Sequence, residues 1–266
     1  MISEEATLHA LVVRLRREYR QRTGFFERYA LPEYEALGSL DLSPRERALF
    51  VTFSVVPFHT HPSGKPKQET GRNGLWQVCA TLQRQHSWAF APETVVDRGT
   101  DRLERLLDRL EVMDEYDAQW WYACAETFHE SFDGDPRVLF ARNDYVAPHV
   151  ARDSRRYALP GIGDVVTTPV WLRLFHDQVD ELAGMRWLPM AVDYRTFQVT
   201  AALGDLELSF AEREHRRLVG DFWTVFCRKH GFAPMDVEKP LRLLGLHWDR
   251  AGNAYVADLL AELRGG

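Results

Sequence analysis

From residue 101 to 113 the chain reads Asp-Arg-Leu-Glu-Arg-Leu-Leu-Asp-Arg-Leu-Glu-Val-Met. Leu103, Leu106, Leu107, Leu110 and Met113 fall on one face of a helix, with the charges opposite. Thr100 or Asp101 is placed to cap that helix. Helical patterning also covers 4–20, 44–53, 74–86, 115–132, 165–180, 194–203 and 210–230, and no stretch sustains the two-residue alternation of a strand. The expected fold class is therefore all-α. Pro32, Pro44, Pro92, Pro136, Pro148, Pro189 and Pro234 read as punctuation in the gaps between helices.

At 266 residues the chain is long enough for one large core or for two lobes. Its apolar fraction of 45% and charged fraction of 27% are those of a soluble globular protein. No apolar run approaches the roughly 20 residues of a membrane span, so no membrane partner is expected. Cys79, Cys124 and Cys227 are odd in number and widely spaced, which argues against a disulfide framework and against a four-cysteine metal or iron–sulfur site. The acidic start, Met1-Ile2-Ser3-Glu4-Glu5, lacks the character of a signal peptide, so a cytoplasmic location is expected. The net charge of −6 excludes a globally basic nucleic-acid binder and leaves only local patches. One such patch is Arg137, Arg142, Arg152, Arg155 and Arg156; a second set, Arg14, Arg16, Arg17, Arg20 and Arg22, reads as a solvated helix face.

Just after the first patch comes Leu159-Pro160-Gly161-Ile162-Gly163. Two glycines let a ligand approach bare backbone, and a helix beginning at Asp164 would aim its first N–H groups at the same spot. Amides in a turn beside a helix N-terminus make an anion site. Leu159 and Ile162 would pin the hairpin to the protein. The plain alternative is a glycine-rich turn between two packed helices. Further on, Ala191-Val192-Asp193-Tyr194 puts a lone carboxylate after an apolar pair and at the start of a helix. Such a position suits a negative charge; it also suits a simple N-cap bonded to the N–H of Tyr194, Arg195 or Thr196.

Together the two segments resemble the helix-hairpin-helix (HhH-GPD) DNA glycosylases, whose signature is Leu-Pro-Gly-Val/Ile-Gly followed by Val-Asp and a helix. Residues 235–245, Met-Asp-Val-Glu-Lys-Pro-Leu-Arg-Leu-Leu-Gly, look like that superfamily's closing segment, so the resemblance covers roughly 150–250. It implies a two-lobed helical fold with the active site in the cleft between lobes. One lobe would span 76–190 and end in the helix-hairpin-helix; the other would combine 1–75 with 191–266. It implies DNA contacts at Leu159, Gly161, Ile162, Gly163, Asp164, Val165, Arg155 and Arg156, and catalysis by Asp193. Bifunctional members carry a Schiff-base lysine where this chain has Val165, which leaves hydrolysis by water. The iron–sulfur cysteines are also absent. No cofactor is required, beyond a possible structural monovalent cation at the hairpin carbonyls. The partner would be duplex DNA with one nucleotide flipped out, gripped by a monomer.

A flipped base needs flat apolar walls and a few polar groups. Candidates are Trp76, Trp120, Trp121, Tyr122, Phe128 and Tyr194, with His59 and His61 from the proline- and glycine-rich loop 56–73. The base excised would be a repair lesion or a bulky modified phage base such as glucosylated hydroxymethylcytosine. Other readings are a non-catalytic helix-hairpin-helix DNA binder and a nucleoside or nucleotide N-glycosidase. A remoter one is a di-iron helical-bundle enzyme using Glu126/His129 and Glu212/His215, although composition alone supplies such acid-x-x-His pairs.

Overall fold

The computed structural model describes residues 5–58, 67–69, 71, 74–163 and 167–265. Among them every regular element is helical, with one isolated bridge between Val146 and Ala183. The protein is all-α, and none of its described helices is long and apolar enough to cross a membrane. The chain divides into two compact units, a terminal one (Met1–Leu31 with Arg186–Gly266) and a central one (Pro32–Met185).

The terminal unit opens with α1 (Glu5–Gln21) and α2 (Phe25–Arg28). The central unit comes next, with α3 (Pro32–Gly38), α4 (Pro44–Val55), α5 (Leu75–Gln85), α6 (Pro92–Arg98) and α7 (Thr100–Leu107). It continues with α8 (Glu115–Ser131), α9 (Pro136–Arg142), α10 (Ala147–Arg156) and α11 (Thr167–Gln178). The chain then returns to the terminal unit with α12 (Tyr194–Gly204), α13 (Arg213–His230), α14 (Pro234–Leu246) and α15 (Asn253–Gly265). The expected lobe boundary at residue 76 is corrected to Pro32, because α4 packs on α11 and α3 on α5, tying residues 32–75 to the later helices of the central unit. The second boundary falls at Met185 rather than 190.

Most of the prolines start helices rather than fill the gaps between them. Pro32, Pro44, Pro92, Pro136 and Pro234 are the first residues of α3, α4, α6, α9 and α14, and Pro148 is the second of α10. A helix's first N–H groups have no internal acceptor, so proline loses nothing there and its fixed φ is already helical. Two of these helices also have side-chain caps: Ser43 and Glu46 form a reciprocal capping box on α4, and Asp135 accepts from Arg137 N at 3.0 Å on α9. The helix expected over 101–113 ends at Leu107. Leu103 and Leu107 are buried but Leu106 and Leu110 only partly so, so α8 supports two turns of it and no more.

The core of the central unit is built on α4, buried without a break from Ala48 to Val55, and on α11, buried from Thr167 to Phe175. Helices apolar on every side belong inside a fold. Two buried polar pairs anchor them: Trp171 Nε1 donates to Thr52 Oγ1 at 3.0 Å, and the buried Arg173 donates to Glu33 at 2.7 Å. In the terminal unit α12 lies against α14 at a close crossing. A Cβ on Gly245 would stand 2.6 Å from the backbone oxygen of Arg195, so only glycine allows that approach.

Candidate functional site

In the central unit α10, the hairpin and α11 succeed one another as expected. Leu159 and Ile162 are both buried. The hairpin closes on itself: the amides of Ile162 and Gly163 donate to Leu159 O at 3.3 and 3.0 Å, and Leu159 N donates to Ser154 O at 3.1 Å. The Thr168 hydroxyl donates to Ile162 O, fastening the hairpin to α11. Two of the amides expected to meet a phosphate are therefore turned inward, because a tight turn satisfies its own donors first. Of the hairpin carbonyls, Leu159 O and Ile162 O already accept protein donors. Gly161 has φ +71°, and a Cβ there would lie 2.6 Å from Val56 O. Its bareness thus serves the approach of the Val56 backbone. Asp164 and Val165 lie outside the described residues.

Arg152, Arg155 and Arg156 are exposed on α10 beside the hairpin. Arg155 Nε donates to Ala151 O at 2.9 Å and Arg152 pairs with Asp153 at 3.3 Å. Three of the N-terminal arginines are engaged within the terminal unit: Arg16 and Arg20 pair with Asp236 at 2.9 and 2.6 Å, and Arg14 with Glu18 and Glu262 at 2.7 and 2.6 Å.

Asp193 caps α12 in the terminal unit. Its Oδ1 accepts from Thr196 N at 2.8 Å and its Oδ2 from Arg242 Nε at 3.0 Å. The preceding Ala191 and Val192 are buried, and Met190 N donates to Thr224 Oγ1 at 3.1 Å, which fixes the approach to the cap. Asp193 is 8% exposed and Arg242 is fully buried. The arrangement holds a carboxylate rigid between an amide and a guanidinium. Arg242 was not among the residues singled out from the sequence, although a lone cation within Pro240-Leu241-Arg242-Leu243-Leu244 signals a buried partner.

The proposed pocket aromatics separate. Trp76, Trp121 and Phe128 are fully buried in the central unit, Trp76 against Phe58 and Trp121 against Phe53 and Phe90. Trp76 is therefore corrected to a core residue, since burial in packed aromatic clusters leaves no open ring face. Trp120 and Tyr122 are partly exposed on α8, and Tyr194 is partly exposed beside Phe210. His59 and His61 lie outside the described residues. Lys67, within the same 56–73 segment, is buried and paired with Asp114 at 3.2 Å and with Asp117 at the start of α8. Of the acid-x-x-His pairs, Glu126 and His129 are exposed, and Glu212 meets His215 at 3.4 Å on the surface of α13. Neither pair points into a bundle.

Close to the Asp193 helix, His247 stacks on Tyr29 with ring centroids 4.0 Å apart. Burial, then Arg250 and Arg195, push its imidazole below the ordinary histidine range. The unfolded chain takes up that proton as pH falls through about 6.5, while the folded chain resists it. The contribution is therefore present above that pH and lost below it. The unfolding midpoint of His247→Gln is expected to fall less steeply between pH 7.5 and 5.5 than that of the parent, as thermal melts at each pH would show.

Compared with family models, curated proteins and solved structures, the chain finds no match in any of the three.

Proposed function

We propose that the chain is a monofunctional DNA N-glycosylase of the two-lobed helix-hairpin-helix type. The observation that carries the reading is Asp193, a nearly buried carboxylate locked at the first turn of α12 by Thr196 N and Arg242. Its sequence context, with Leu159–Gly163 thirty residues earlier, supports the same reading. Exposed Arg155 and Arg156 would grip the phosphate chain beside the hairpin. In this reaction the C1′–N bond breaks and its electron pair leaves with the base. Positive charge spreads over C1′ and the ring oxygen, where a fixed carboxylate stabilises it. Water adds to C1′ and gives its proton to Asp193 or to the departing base. The products are the free base and an intact strand with an abasic sugar.

The Arg242 contact favours a second reading, in which Asp193 is a structural clamp and the protein a non-catalytic DNA binder. A release assay over duplexes carrying alkylated, oxidised, deaminated and glucosylated bases separates the two. At least one duplex is expected to lose its base and to break only after alkaline treatment. Release from none, with duplex binding retained, would establish the binder.

A further inference from the structure

We infer that α13 is the contact surface of a symmetric dimer, in which two copies of this chain lay the helix antiparallel against its mate. At 100° per residue, Glu214, Leu218, Phe222, Val225 and Lys229 share one stripe of α13, and all five are exposed. The opposite face already supplies the unit's core through Val219, Trp223, Phe226 and Cys227. Among the described residues, nothing in the terminal unit covers this second apolar face.

The surroundings make the stripe more than three stray side chains. Seven large apolar residues are exposed among those described, and four of them (Leu206, Leu218, Phe222 and Val225) gather here. Beside the helix lies a cavity of about 360 Å³ walled by Leu8, Leu203, Leu206, Leu218 and Phe222. A neighbouring groove shares Leu8, Leu218 and Phe222 and continues past Val225 to Lys229. Such concentrated apolar surface marks an interaction site.

The charges at its ends select the occupant. The stripe has an acid at its N-terminal end, a base at its C-terminal end and apolar residues between. A two-fold axis between Asp221 and Phe222 puts Leu218 opposite the partner's Val225 and Glu214 opposite the partner's Lys229. A parallel arrangement would instead oppose like charges at both ends, and the antiparallel one also opposes the helix dipoles favourably. Lys229 already bonds Glu5 at 2.6 Å, so it would sit between two acids. Asp221, near the axis, is paired with Arg217 at 3.4 Å. This departs from the monomer expected from sequence.

Sedimentation velocity at micromolar concentration tests the proposal. The parent protein is expected to be a dimer. Glu214→Lys or Lys229→Glu alone should weaken it about tenfold or more, since each creates two symmetry-related repulsions. The double exchange should restore it, and Val225→Glu should give a folded monomer that melts in one cooperative step, at the lower temperature expected once the dimer's stabilisation is lost. A monomeric parent overturns the proposal, whether or not an apolar dye fills the groove. A dimer indifferent to the charge exchanges, or not restored by the double exchange, also overturns it.

Discussion

Asp193→Asn is expected to slow base release about 10³-fold, inside the 10²–10⁴ range contributed by a positioned acid–base group, while duplex binding persists. Asparagine caps a helix about as well as aspartate, so the start of α12 survives. The consequence falls on Arg242, whose fully buried guanidinium lies 3.0 Å from the carboxylate. Breaking a buried pair from one side costs about 3–5 kcal/mol where nothing else faces the remaining charge; Arg242 has a further contact, so the loss is expected to be smaller. Stability and catalysis must therefore be read separately. Calorimetric melts should show the loss in Asp193→Asn and a similar one in Arg242→Met, with the double variant less destabilised than the sum. Release is then measured well below each melting midpoint, per folded molecule. If folded Asp193→Asn releases bases at the parent rate, the carboxylate is a clamp and nothing more.

Gly161→Val is expected to destabilise the central unit by about 2–5 kcal/mol. Roughly 1–2 of this is the left-handed backbone penalty, and roughly 1–3 is the cost of forcing a side chain into a packed site. The new Cβ would meet Val56 O at 2.6 Å and Val56 Cγ1 at 2.9 Å, and a backbone neighbour cannot step aside cheaply. Urea unfolding followed by tryptophan fluorescence measures the loss. Gly163 is the informative contrast. A Cβ there meets its nearest neighbour, Leu159 O, at 3.4 Å, and its φ lies outside the left-handed region. Gly163→Ala should therefore stay within about 1 kcal/mol of the parent. If it nonetheless weakens duplex binding across sequences, the hairpin meets the phosphate chain at Gly163.

Much of the helical content was legible because amphipathic period is a local property of the chain. The stretches read as helices over 44–53, 115–132 and 194–203 all lie within α4, α8 and α12 or run one residue past them. The short helices α6, α9 and α10 were hidden by their leading prolines, which are compatible with a gap and with a helix start alike. The site was legible in part. Asp193 stood out by its position after an apolar pair, but its partner Arg242 is 49 residues away, and no local pattern joins them. Trp76 and Trp120 look equally eligible as pocket walls in sequence; burial alone separates them.

Sequence by itself determined the all-α class, a glycine turn between two helices and an acid at the start of a third. These arise from side-chain periodicity and backbone freedom over a few residues. Tertiary structure decided what the same residues do. It turned the Ile162 and Gly163 amides inward, set Val56 against Gly161, paired Asp193 with Arg242 and left one face of α13 apolar and open. Each of these outcomes depends on which distant group occupies the space beside a residue, and that is fixed only when the whole chain has packed.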